Sequence, residues 1–319
     1  MLRKLSVGLA CLAVLATGAA CTATPSGGGS GPLPVSYNIL AAAPYVLQPT
    51  KPPAGSNNNS CKPTAAHPYP VVLVNGTIAT MGENWPVLSP LLKNNGYCVF
   101  AFNYGGTWLS SLLLGNIQGL DSAAGSANEL KSYVNFVLGQ TGATKVDLVG
   151  HSQGGMLPNY YVKFLGGAPK VHSIIGLAPD NHGTTLSGLV TLGNKFSQFF
   201  PPLMPFINIM LGLAAPSFVD QQIGSPFIQQ LNSLPDTVPG INYTVIATKY
   251  DEVVTPYTSS FLDGPNVKNI TLQDQCDLDY SEHISIAFNH IALGEVLNAL
   301  DPAHAVTPVC SPVYPAVGG

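Results

Sequence analysis

Lys145-Val146-Asp147-Leu148-Val149 runs directly into Gly150-His151-Ser152-Gln153-Gly154, and a helical pattern follows as far as Leu165. A short apolar run, a serine with glycine two residues to either side, and then a helix describe a strand–turn–helix that lifts the serine to the tip of a sharp turn. The glycines let backbones approach where that turn leaves no room for side chains. The helix behind the serine aims the positive end of its dipole at negative charge forming there. GxSxG alone says little, because Gly and Ser are common. Between a strand and a helix it makes Ser152 the candidate nucleophile, and Pro158 a place for a slight kink.

Outward from this turn the same alternation repeats. Short apolar or β-branched runs at 71–74, 98–102, 145–149, 173–177, 243–248 and 267–272 read as buried strands. Patterns at 85–93, 127–138, 153–165 and 284–300 read as helices. Strands alternating with helices predict an α/β fold with a mostly parallel sheet covered on both faces. One stretch interrupts the rhythm. From 184 to 235 the only charges are Lys195 and Asp220, and 199–211 reads FFPPLMPFINIML. The prolines argue against a membrane span. The stretch is expected to form a few helices over the sheet and an apolar cap above a site for greasy ligands.

Composition supports one large core: 46% of the 319 residues are apolar and only 9% charged, against about 25% charged in ordinary soluble proteins. The net charge is −4, and Arg3 is the only arginine, so without Arg3 and Lys4 it is −6. Ten scattered lysines do not form the basic patch that nucleic acid requires, so nucleic acid is excluded as a partner.

Arg3 and Lys4 precede a 16-residue apolar run, Leu5 to Ala20, which is too short to span a bilayer and fits an export signal over residues 1–23. Residues 24–66, rich in Pro, Gly, Ser and Asn, read as a tether and irregular extension. The main domain is expected over 67–311, with its cap at about 184–235 and a tail at 312–319. Two readings of Cys21 stand: a lipidated cysteine after lipoprotein-type cleavage, or ordinary cleavage nearby and release. Cys11 lies inside the signal. Cys61, Cys98, Cys276 and Cys310 form an even set in an exported chain, so two disulfides are expected among three connectivities. Pairing by nearness joins Cys61 to Cys98 and Cys276 to Cys310. CxxC spacing is absent, which argues against a zinc or redox site.

A serine needs a base, and the base needs a carboxylate to orient it. In this architecture the chain order is serine, acid, histidine. Asp251 follows the strand at 243–248, and His283 follows in a loop before the last helix. Asp180 is the chief rival acid, and Glu252 adjoins Asp251. His182 precedes Asp251, His290 falls inside the predicted last helix, and His304 lies beside the tail. His67 and His172 stand in the wrong order or place. His151, next to the nucleophile, is expected to point away. Two backbone donors must meet the oxyanion. Gln153 supplies one, and Thr77, in the Asn75-Gly76-Thr77 loop after the first strand, the other.

Val71-Val72-Leu73-Val74-Asn75-Gly76-Thr77, Gly96-Tyr97-Cys98, Ser152-Gln153-Gly154-Gly155, Ala178-Pro179-Asp180-Asn181-His182-Gly183-Thr184 and Ala247-Thr248-Lys249-Tyr250-Asp251-Glu252-Val253-Val254 carry a family likeness. With them the chain resembles the class 2 lipases of the α/β-hydrolase superfamily, the group similar to Candida antarctica lipase B, from about Tyr69 to Cys310. The resemblance implies an α/β-hydrolase fold. It also implies Ser152 as nucleophile, Asp251 as orienting acid, His283 as base, Thr77 and Gln153 as oxyanion donors, and the pairs Cys61–Cys98 and Cys276–Cys310. It implies a serine hydrolase acting on carboxylic esters of apolar acyl chains, acylglycerols in first place, at a lipid–water interface and with no metal or organic cofactor. This chain departs from the pattern at Asn75, where many lipases have His, and at His151, where the yeast enzyme has Trp in its alcohol pocket. Competing expectations are a short-chain carboxylesterase, a polyester hydrolase, an acyltransferase or a peptidase on the same residues, and a non-catalytic lipid-binding surface protein.

Overall fold

The structure is a computed structural model describing residues 31–185, 187–191 and 215–319. The export signal, Cys11, Cys21, the first part of the tether and the apolar run at 199–211 lie outside the described residues. The sheet has six strands: β1 (Val71–Val74), β2 (Val99–Phe102), β3 (Val146–His151), β4 (Val171–Leu177), β5 (Asn242–Ala247) and β6 (Val267–Thr271). Their order is β2-β1-β3-β4-β5-β6, and every neighbouring pair is parallel.

Period-2 alternation divides each strand between two cores. Val71, Leu73, Val99, Ala101, Ile175 and Leu177 face one buried cluster with α1 (Met81–Asn84), α2 (Leu88–Asn94), α8 (Leu272–Gln275) and α9 (His290–Leu300). Val72, Val74, Phe100, Leu148, Ile174 and Val245 face the other, beneath α4 (Ala123–Thr141), α5 (Gln153–Phe164) and α7 (Pro226–Leu231). Burial on both faces is what makes the strands read as unbroken apolar runs. A third, smaller cluster joins Ile78, Leu109 and Ile117 to Leu189, Phe218 and Val253. It sits among α3 (Trp108–Leu112), α6 (Pro216–Asp220) and the loop after β1.

Two predicted helices differ in the structure. The helix predicted at 85–93 starts only at Leu88; a separate helix, α1, precedes the span, and between the two Trp85, the residue before Pro86, is driven out of the α conformation. Helix α1 begins at a capping box in which Thr80 and Glu83 bond each other's backbone. The pattern at 284–300 is a 3-10 turn, Ser285–Phe288, followed by α9. Asn289 accepts from the amides of Ile291 and Ala292 and starts a new helix there. His290 therefore stands at the first turn of α9, with its ring nitrogens at the carbonyls of Gly319 and Val309. Helix α5 runs through Pro158 as one element.

The extension at 33–66 and the C-terminal residues pack onto the domain. Residues 33–66 hold one 3-10 turn, Ile39–Tyr45, set against the first core. At the other end Val313 is fully buried, and the Val317 carbonyl accepts from the Ile39 amide at 2.8 Å. Disulfides join Cys61 to Cys98 and Cys276 to Cys310, a pattern consistent with an extracytoplasmic protein. Among the described residues no helix is long and apolar enough to cross a membrane.

Candidate active site

Connections leave β1 toward β2 on one side, while β3 lies on the other, so the order of the sheet reverses between β1 and β3. In open α/β sheets, ligands bind outside the carboxyl ends of the strands at such a point. Ser152 sits there, directly after β3, with φ 54° and ψ −131°. Ile78 and Ala178, in the loops after β1 and β4, also have positive φ, at 74° and 45°. Non-glycine residues in this region carry roughly 1–3 kcal/mol of strain each, and such strain collects at functional sites.

The elbow's glycines are dictated by contact. A Cβ at Gly150 would enter the Gly154 carbonyl, and one at Gly154 would enter the carbonyls of Val74 and Asn75. The serine turn is thus wedged against the end of β1. The loop after β1 is braced in turn. The Gly76 amide donates to Asn84 Oδ1 at 2.9 Å, the Asn75 side-chain amide donates to the Ala79 carbonyl at 2.6 Å, and the Tyr104 hydroxyl donates to the Asn75 carbonyl at 2.6 Å. That places Thr77 beside Gln153: the Thr77 hydroxyl lies 2.9 Å from Gln153 Oε1 and 3.2 Å from Gln221 Oε1. Gln153 is the first residue of α5, where a helix amide has no intrahelical acceptor.

His283 Nε2 lies 3.0 Å from Ser152 Oγ, and its Nδ1 lies 2.9 Å from Asp251 Oδ2. The other carboxylate oxygen of Asp251 accepts from the amides of Val253 at 2.9 Å and Val254 at 2.7 Å, which fixes the carboxylate's orientation. All three side chains are buried. Burial opposes the charged form of His283, but the charge and hydrogen bond of Asp251 outweigh it and raise the imidazole above the ordinary histidine value. Asp251, His283 and Ser152 therefore form one hydrogen-bonded line, from three loops far apart in sequence.

The rival groups are placed elsewhere. Asp180 is buried, and no other described residue hydrogen-bonds its carboxyl oxygens. Burial, with the charge of Asp251 adding to it, pushes it up to about 7. His182 bonds the Ser259 carbonyl and pairs with Asp236, His172 pairs with Asp147, His304 pairs with Asp301, and His67 packs at a tilt against Tyr97. The expectation that His151 points away does not hold. Its Nδ1 lies 3.1 Å from Asn84 Oδ1, and its Nε2 lies 2.8 Å from the His283 carbonyl. Burial, then the neighbouring charge of His283, lowers His151 to about 3, so the ring is neutral and carries one N–H.

The loop carrying His283 is held by buried polar groups that composition does not reveal. Asp279 accepts from the Ser281 amide and from Asn289 Nδ2, and Thr248 Oγ1 donates to the Ser281 carbonyl at 2.6 Å. Glu282 accepts from the amides of Ile284 and Ala316, tying the loop to the chain's last residues. Asp279-x-Ser281 and Asn289 ahead of a helix are local turn and cap signals that a closer reading of the sequence would find. The Glu282–Ala316 contact has no local signal. A cavity of about 320 Å³ opens at Ser152 and His283, lined mostly by aliphatic side chains and Phe288. Several of these come from the extension at 39–46, which sequence reading left without a part in the site. Among the described residues no cluster of three or more His, Cys, Asp or Glu is arranged to hold a metal.

Residues 68–292 match the family model of the class 2 lipases. A triacylglycerol lipase of Pseudarthrobacter phenanthrenivorans is 37% identical over 101 residues, 30% of this chain and 28% of that protein. Another, from Burkholderia plantarii, is 37% identical over 101 residues, 30% of this chain and 25% of that protein. The match therefore spans about a quarter of the length of these curated relatives. Lipase B of Aspergillus fumigatus superposes with a TM-score of 0.58 over 90% of this chain and 64% of that one, at 19% identity, and shares the fold.

Proposed function

The chain belongs to the class 2 lipase family, and from that premise we propose that it is an exported serine hydrolase cleaving carboxylic esters of apolar acyl chains, acylglycerols among them. The observation that carries the proposal is the line of two hydrogen bonds, Asp251 to His283 to Ser152, at the floor of a cavity lined mainly by carbon. In this reading His283 Nε2 takes the proton as Ser152 Oγ attacks the ester carbon. The negative charge moves to the former carbonyl oxygen, where the amides of Thr77 and Gln153 receive it. The Thr77 hydroxyl becomes a third donor when it turns from the Gln side chains. Collapse breaks the bond to the alcohol oxygen, which takes the proton from His283 and leaves Ser152 acylated. Water, deprotonated by the same nitrogen, attacks the acyl-serine and releases the acid. Asp251 holds the tautomer and stabilises the imidazolium throughout.

Export is supported by the two disulfides, and a lipid anchor at Cys21 is the finer form of that reading. Labelled fatty acid incorporated by the full chain and lost in Cys21→Ser tests the anchor. The hydrolase reading is tested with a chain-length series of p-nitrophenyl esters and emulsified triacylglycerol, with Ser152→Ala as control. Rates rising toward long chains and emulsions, and absent in the variant, are expected. Activity on short soluble esters alone reduces the protein to a carboxylesterase, and no activity on any ester overturns the reading.

A further inference from the structure

The cavity at Ser152 has one wall that neither the elbow nor the strand ends supply. Ile39, Leu40, Ala42, Ala43 and Val46 line it, all from the extension more than a hundred residues ahead of the serine. This wall is tied at both ends. Asn38 caps the 3-10 turn by accepting from the Leu40 amide at 2.8 Å, and the Ile39 amide donates to Val317. At the far end Tyr45 is buried against Gly82 of α1, where a Cβ would lie 2.5 Å from the tyrosine ring. The Tyr45 hydroxyl accepts from the Ala54 amide at 3.2 Å. Between these ties the face toward the cavity is built around two alanines, the smallest side chains that keep a helical turn in place.

The lining of the cavity bears on which part of an ester it receives. The leaving oxygen must come within reach of His283 Nε2 to take its proton, so the group on that oxygen runs past the imidazole. The cavity's lining includes His283 itself and Ala287 and Phe288, which follow the base in the chain, together with Ala79 and Asn84. Asp180 and Gln221 do not line it. Its volume, about 320 Å³, is in the range of small-molecule sites, roughly 300–1,000 Å³, and far exceeds what methanol or ethanol needs.

We propose that segment 39–46 is the selectivity wall for the leaving alcohol, and that Ala42 and Ala43 leave space for a bulky apolar alcohol. The inference rests on the serine-hydrolase reading and adds the substrate half that the extension selects. Ala43 is solvent-exposed, so a larger side chain there fills the cavity mouth without entering the core, whereas Ala42 packs on the first core cluster.

The test uses the full chain and butyrate esters of methanol, cyclohexanol and menthol, together with methyl esters of longer acids. Ala43→Phe is expected to lower kcat/KM for the menthyl ester at least tenfold relative to the methyl ester. The acyl-length preference among methyl esters and the stoichiometry of labelling by diethyl p-nitrophenyl phosphate are expected to stay unchanged. Ala43→Val gives the same ordering with a change of about threefold, and carries the test if thermal melting shows the Phe variant unfolded. An equal loss on all alcohols, or a loss that follows acyl length, overturns the wall. A wild-type chain that takes no phosphoryl label and hydrolyses no ester overturns the hydrolase reading itself, which separates the two failures.

Discussion

Replacing Asp251 by Asn isolates what the buried carboxylate does. One Asp251 oxygen accepts two backbone amides, from Val253 and Val254, and the other accepts His283 Nδ1–H. Asn offers one oxygen and one NH₂. Turning the NH₂ toward Val253 and Val254 would set a donor against two donors and orphan both amides, at about 1–3 kcal/mol each. The oxygen therefore keeps the backbone amides, and the NH₂ faces His283. The imidazole then has to present a lone pair at Nδ1 and carry its proton on Nε2, 3.0 Å from Ser152 Oγ, where it can no longer accept one. The fold survives, while kcat/KM falls on the order of 10⁴-fold, about 5.4 kcal/mol of transition-state stabilisation. The assay is p-nitrophenyl butyrate hydrolysis beside a urea unfolding curve, with ¹⁵N NMR of the imidazole to read the tautomer. Activity within tenfold of wild type in a folded Asp251→Asn protein would refute the assigned role.

Other expectations follow from the same geometry. The neutral His283 ring is the base, and Asp251 raises that ring, so kcat/KM falls as pH drops through a value above about 6.5. A pH–rate profile with its acid limb below 6 contradicts this. By the same shift, the stability His283 contributes is fully present below about 6.5 and is lost as pH rises through the folded value. Gly154→Ala forces a methyl into the carbonyls of Val74 and Asn75, at a cost of about 1–3 kcal/mol or more, and loosens the loop bearing Thr77; thermal melting and phosphoryl-labelling rate should fall together. Removing Cys276 and Cys310 as a Ser pair opens a closure of 34 residues and lowers unfolding free energy by about 2–4 kcal/mol, measured in urea.

The legibility of this protein follows the range of its interactions. The elbow is local: strand, glycines and helix lie within twenty residues, and its steric demands are written as Gly150 and Gly154. Asp251 and His283 were readable as an ordered pair, but Asp180 and His182 fit a looser version of the same rule. Strand β5 delivers Asp251 to His283, whereas Asp180 follows β4 into a buried place where no other described residue hydrogen-bonds its carboxyl. The extension was opaque. A run of Pro, Gly, Ser and Asn has the composition of a tether, and what makes 39–46 a wall is Tyr45 against Gly82 and Ile39 against Val317, contacts across tens to hundreds of residues. The placement of His151 is hidden for a related reason. Its neighbours Asn84 and His283 are 67 and 132 residues away, so nothing adjacent to it in sequence reveals where its ring points.

The most direct test of the central claim is the intact mass and peptide map of the protein after treatment with diethyl p-nitrophenyl phosphate, followed against ester hydrolysis. The account predicts one diethylphosphoryl group, on the peptide containing Ser152, with hydrolysis lost in step and no adduct in Ser152→Ala. An adduct on another residue, or hydrolysis that persists in the Ser152→Ala protein, would contradict it.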